Sequence, residues 1–183
     1  MRSNRFHAAC GLMACALVSV AAGTAGSRNR PERFTITLPA PYSRMIDVVR
    51  EVCSDGVIRG TQQYDSETGI TGADAVDSSS AFPPWKGPGE ALYKVRRKAL
   101  APSHFENSRD IGTVALRYLV EAAGPDQTRL TIDAVFVEDS RHGRHLSQGM
   151  VEVAEFGEIA RKLKQIGRAD AMAQTKDNLK TKN

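Results

Sequence analysis

Polar and apolar positions alternate along much of the chain between Phe34 and Glu138, and the period lengthens to that of a helix in two places. Phe34, Ile36 and Leu38 alternate with Thr35 and Thr37, which predicts a first strand over 34–38. Pro39-Ala40-Pro41 ends it and opens a helix over 42–54, since proline is tolerated in a first helical turn. Tyr42, Met45, Ile46, Val49, Val52 and Cys53 fall on one stripe of that helix, while Arg44, Asp47, Arg50 and Glu51 face water. Asp55-Gly56 supplies the stop. Strand patterns follow at 57–64, at 69–79 in a weaker Ala- and Ser-rich form, and at 90–99. The clearest pair is 113–121 and 128–138, joined by a turn at Gly124-Pro125-Asp126-Gln127. A long helix over 148–166 closes the pattern, with Ser147 as N-cap and Val153, Phe156, Ile159, Ala160, Leu163 and Ile166 as its apolar stripe.

The strand pair fixes an inward face. Val114, Leu116, Tyr118 and Val120 share one side of the first strand, and Leu130, Ile132, Ala134 and Phe136 one side of the second. Charged neighbours (Arg117, Glu121, Arg129, Asp133) take the opposite sides, the signature of a sheet packed on one face and wet on the other. On 90–99 the same logic sends Tyr93 and Val95 inward and puts Lys94, Arg96 and Lys98 on the wet face.

The first 33 residues do not belong to this pattern. Arg2 and Arg5 make a positive start, Ala8 to Val20 is an apolar run too short for a membrane span, and small residues follow from Ala21 to Gly26. This is a secretory signal over 1–25, followed by a polar linker over 26–33, a folded domain over 34–166, and a polar, partly disordered tail over 167–183. The expected localisation is periplasmic or extracellular. Leu12-Met13-Ala14-Cys15 also fits a lipobox, so a lipoprotein anchored at Cys15 is the alternative, and the only one that brings a membrane into play. The apolar run continues past Cys15, which favours ordinary cleavage.

Cleavage changes the charge. The whole chain carries 25 basic against 21 acidic residues; Arg2 and Arg5 leave with the signal, so 23 face 21. So small an excess does not imply nucleic acid, and no aromatic residues interleave with the 94–98 basic stripe as a single-strand platform requires. Cys10 and Cys15 leave as well, and Cys53 stands alone on an apolar stripe, where packing is a better reading than nucleophilic chemistry.

The order strand, helix, run of antiparallel strands, long C-terminal helix resembles the helix-grip fold of the START-like (SRPBCC-type) superfamily. The resemblance spans 34–166 and rests on element order alone. It implies an α+β domain in which a curved antiparallel sheet of about six strands packs on the last helix and leaves a cavity between them. Phe82-Pro83-Pro84-Trp85-Lys86-Gly87-Pro88-Gly89 and Ala101-Pro102-Ser103-His104-Phe105 resemble segments of exported bacterial proteins with no assigned activity. In a helix-grip protein the cavity would be lined by Tyr93, Val95, Leu116, Tyr118, Leu130, Ile132 and Phe136, with Trp85 as a lid or a partner contact. The implied function is non-catalytic binding of a small apolar or amphipathic ligand, with no cofactor. The alternatives are a hydrolase- or cyclase-like enzyme using the same cavity, and a protein-interaction module of the cell envelope working through Trp85.

Two weaker constellations remain. Glu138-Asp139-Ser140-Arg141-His142-Gly143-Arg144-His145 gathers ligands for a metal or an anion, with His142, His145 and Arg144 as the candidates. Gly143 and the two arginines argue instead for a solvated charged loop. Ser103, His104 and Asp110 suggest a triad only through sequence proximity, and no nucleophile-elbow motif accompanies them.

Overall fold

The computed structural model describes residues 33–64, 68–106 and 110–180. The signal expected over 1–25, with Cys10 and Cys15, lies outside them. The elements are β1 (Phe34–Leu38), α1 (Tyr42–Cys53), β2 (Val57–Arg59), β3 (Gly69–Thr71), β4 (Asp74–Val76), β5 (Glu90–Leu100), β6 (Ile111–Gly124), β7 (Gln127–Glu138), β8 (Arg144–Leu146) and α2 (Met150–Lys180). The fold is α+β. An open, antiparallel six-stranded sheet runs in the order β1-β7-β6-β5-β4, with β8 added beside β7, and β2 and β3 form a separate two-stranded ribbon. β1 pairs with the first half of β7 and β8 with its end, so the two short strands share one edge.

The helix α1 follows the pattern of its sequence. Pro41 precedes it and its carbonyl accepts the Met45 N–H at 3.1 Å, while Met45, Ile46, Val48, Val49, Val52 and Cys53 are buried. The β6–β7 hairpin also forms as expected, closed by the two residues Pro125 and Asp126. Leu116, Tyr118, Leu130, Ile132 and Phe136 point at the helices and are fully buried, and each contributes roughly 1.5–3 kcal/mol through burial of apolar surface.

Two faces differ from the sequence reading, and the reason is shared. In β5, Lys94 stands opposite Leu116 while Tyr93 and Val95 stand opposite Arg117 and Ala115. Lys94 is therefore the inward residue, and Tyr93 and Val95 belong to the outer face. In α2, Val153 is 53% exposed, whereas Val151, Glu152, Glu155 and Ile159 are buried. A pattern that treats charge as a mark of water misses both Lys94 and Glu155. It places β5 one step out of phase, while in α2 Phe156, Ile159, Leu163 and Ile166 face the core as expected and only Val153 is misplaced.

The outer face is not simply wet. Its centre carries a second apolar cluster of Ala81, Val95, Ala115 and Val135, flanked by Phe82, Val137 and Leu146, and the segment between β4 and β5 folds back across it. Arg117, expected in water, lies beneath that segment with its side chain 4% exposed. The strands expected at 57–64 and 69–79 shorten to β2, β3 and β4. The charged loop expected after β7 turns tightly and returns as β8, an element the sequence did not signal.

Helix α2 begins at a crowded point. Ser147 accepts the Gly149 N–H at 3.1 Å and donates to Glu152 at 2.6 Å, and Glu152 also accepts the Ala134 N–H at 3.1 Å, tying the first turn to β7. Gly60, at φ +71°, lets the end of β2 pass so close that a Cβ would stand 2.3 Å from the Met150 carbonyl oxygen. The helix continues through Gly167 to Lys180, so the change to polar composition there does not end it.

Candidate functional site

The interior facing α2 holds an ionic network in which, among the described residues, Arg59 Nη1 is the one buried donor without a hydrogen bond. The Lys94 ammonium has three donors, and all three are used: Asp55 Oδ1 at 3.1 Å, Glu155 Oε2 at 3.1 Å and the Val57 carbonyl at 2.8 Å. Glu155 in turn accepts the Tyr118 hydroxyl at 2.8 Å and the Arg59 backbone N–H at 2.8 Å. Arg59 donates to Asp55 Oδ2 at 2.7 Å, and Asp55 Oδ1 accepts the Val57 N–H at 3.0 Å. Two cations thus balance two carboxylates, with Lys94 and Glu155 both at 0% exposure.

The surroundings set the protonation of this network. Burial, reinforced by the neighbouring Glu155 charge, pushes the Tyr118 hydroxyl well above its ordinary value. Burial also raises the Asp55 carboxyl, but hydrogen bonds from Arg59, the Val57 amide and Lys94 outweigh it and hold the group below its ordinary value. Cys53, which donates to the Tyr93 carbonyl at 3.1 Å, has its thiol pushed up to about 11 by burial. A buried, protonated thiol of this kind is a packing group rather than a nucleophile.

Concave surface lies on the other side of the sheet. A cleft of about 740 Å³ is floored by Val95, Arg97 and Val137 and walled by Ser78–Ala81 on one side and by Glu138, Asp139 and His142 on the other. A second, of about 570 Å³, is lined by Phe82, Pro83, Pro84 and Tyr93. Ser78, Ser79, Ser80 and Arg144 belong to both. A third, of about 130 Å³, lies between Arg33, Arg117, Asp133 and Glu152, and Arg144 lines it too. Arg144 therefore stands where all three clefts meet, and it donates to the Ala81 carbonyl to strap β8 to the overlying segment. Glu152, at the third cleft, has its carboxyl raised by burial, against the lowering effect of its bonds from Ser147 and the Ala134 amide.

The segment over the outer face is held by Arg117. Its guanidinium bonds Asp133 Oδ2 at 2.6 Å and 3.1 Å and lies 4.7 Å from the Phe82 ring and 5.7 Å from the Trp85 ring. Trp85 Nε1 donates to the Pro88 carbonyl at 3.1 Å, so the tryptophan folds back on its own loop and lies over the sheet.

The structure thus sorts the expected residues into two groups. Tyr93, Val95 and Trp85 gather on the outer face with Arg144 and His142, while Leu116, Tyr118, Leu130, Ile132 and Phe136 are on the inner face and line none of the three clefts. The 142–145 cluster is divided by strand alternation. Arg144 pairs with Val137 on the outer face, and His145 pairs with Phe136 on the inner, its ring 5.9 Å from the phenyl ring. His145 Nε2 lies 3.0 Å from Glu138 Oε1 without hydrogen-bond geometry. Among the described residues no three His, Cys, Asp or Glu side chains converge as a metal site would require. Ser103 accepts the Gln62 N–H, Asp110 accepts the Ser140 hydroxyl, and neither hydrogen-bonds the exposed His104 ring. The residues missed by sequence reasoning are Arg97, Ser78–Ser80 and the Lys94–Glu155 pair. Only the serine run was conspicuous in the sequence, because the others depend on strand phase. The chain matches no protein-family model, no curated protein and no solved structure.

Proposed function

We propose that the chain is an exported, non-catalytic domain that binds a small amphipathic molecule on the outer face of its sheet. The observation that carries this reading is the position of Arg144. It stands between a cleft walled by serines and charged groups and a cleft walled by phenylalanine, prolines and tyrosine. A ligand crossing Ser78–Ser80 would meet polar groups at one end and apolar ones at the other. Pockets of a few hundred Å³ with a few placed polar groups are the usual form of small-molecule sites. The element order supports kinship with the helix-grip superfamily, with one difference from its ordinary use: here the helix-facing side is filled by fully buried side chains. Export rests on the N-terminal pattern of the sequence.

Native mass spectrometry of the mature protein purified from its own cells tests the reading. An organic mass that leaves on denaturation, and that is reduced in Tyr93→Ala, supports it. Bare protein under gentle ionisation, with or without the substitution, counts against it. The same spectrum reports the cleavage site and any lipid on Cys15.

A further inference from the structure

We infer that the polar end of the ligand is an oxyanion, a carboxylate or a phosphate monoester, seated on Arg144. The inference rests on the binding reading above and adds the chemical class. A guanidinium has five N–H donors, and Arg144 spends one on the Ala81 carbonyl. Among the described residues no carboxylate ion-pairs with it, as is also true of Arg96, Arg141 and Arg168, but Arg144 is the one of these four that lines the clefts. Its remaining donors are exposed in the junction of the three clefts.

The strap to Ala81 holds the planar fork in place, and a fixed fork matches an oxyanion bidentately. The Ser78–Ser80 segment and His142 line the same cleft, and Arg97 is on its floor, so hydroxyl and cationic donors surround the position in front of Arg144. Phe82, Pro83, Pro84 and Tyr93 then take the apolar end. Glu138 and Asp139 also line the larger cleft and bring its arginine charges close to balance. Long-range attraction is therefore slight, and discrimination comes from direct contact with Arg144. Added salt should change the affinity little.

The test is titration of the mature protein with decanoate, decyl phosphate and decanol below their micelle-forming concentrations, followed by Trp85 fluorescence and calorimetry. The expected result is that at least one of the two anions binds about tenfold or more tightly than decanol. Arg144→Gln should erase that preference, so that neither anion binds more tightly than decanol does to the same variant. Arg144→Lys should keep part of it. The tighter of the two anions assigns the headgroup. Equal affinity for decanol and both anions, or a preference that survives in Arg144→Gln, overturns the oxyanion inference and leaves amphiphile binding standing. If none of the three binds, the binding reading falls with it.

Discussion

The two faces of the central sheet use charge in opposite ways. On the inner face, Lys94 and Glu155 are wholly out of water and every donor of the ammonium is matched. On the outer face, Arg117 is buried but shared between Asp133 and two aromatic rings, and Arg144 is exposed with donors to spare. In the buried network all three donors of Lys94 are bound, and only Arg59 Nη1, 3.6 Å from Glu155, lacks a hydrogen bond, whereas the spare donors of Arg144 face a cleft. The contrast separates the part of the domain that holds α2 in place from the part where we propose that a ligand binds.

The largest effect should come from the inner network. Removing one partner strands the other charge in the core, so Glu155→Ala or Lys94→Ala should lower unfolding stability by about 3–5 kcal/mol in urea titrations. Replacing both, as Lys94→Met with Glu155→Leu, should recover most of that loss, because the cost lies in the unpaired charge rather than in the absent pair. A double variant as unstable as the singles would break the comparison. Outer-face changes should be milder. Asp133 retains Arg33 at 3.3 Å, so Arg117→Ala should cost about 1–3 kcal/mol, and Trp85→Ala about 0.5–1 kcal/mol. Both should loosen the covering segment, read as faster amide exchange at Ala81 and Phe82 while the amides of α1 stay protected.

The smallest effect is in acid. Asp55 has its folded pKa held below the unfolded value, so its contribution is present above about pH 4 and is lost as pH falls towards the folded pKa. Wild type should therefore lose stability more steeply than Asp55→Asn below about pH 4. Parallel acid limbs for the two proteins would show that Asp55 does not couple to folding as the geometry requires.

Legibility in the sequence follows the same division. The α+β architecture, β1, α1, the β6–β7 hairpin and the long final helix were readable because their apolar residues keep a single period. The inward residues of β6 and β7 were readable for the same reason. Reading failed where an inward position is charged, at Lys94 and Glu155, since each makes sense only with its partner 61 positions away. It failed again where a loop converts a wet face into a covered one, at Tyr93, Val95 and Arg117. Arg144 was visible as a candidate, but its separation from His145 depends on β8, a three-residue strand without a signal of its own.

The central claim is that ligand meets the outer face and that the inner face is closed core. Methyl-resolved NMR of the mature protein titrated with decanoate tests it most directly. The account predicts shifts at the Ala81, Val95 and Val137 methyls beside Arg144, with Leu116, Leu130 and Ile132 unmoved. Shifts concentrated at Leu116, Leu130 and Ile132 would place the ligand between sheet and helices and contradict it.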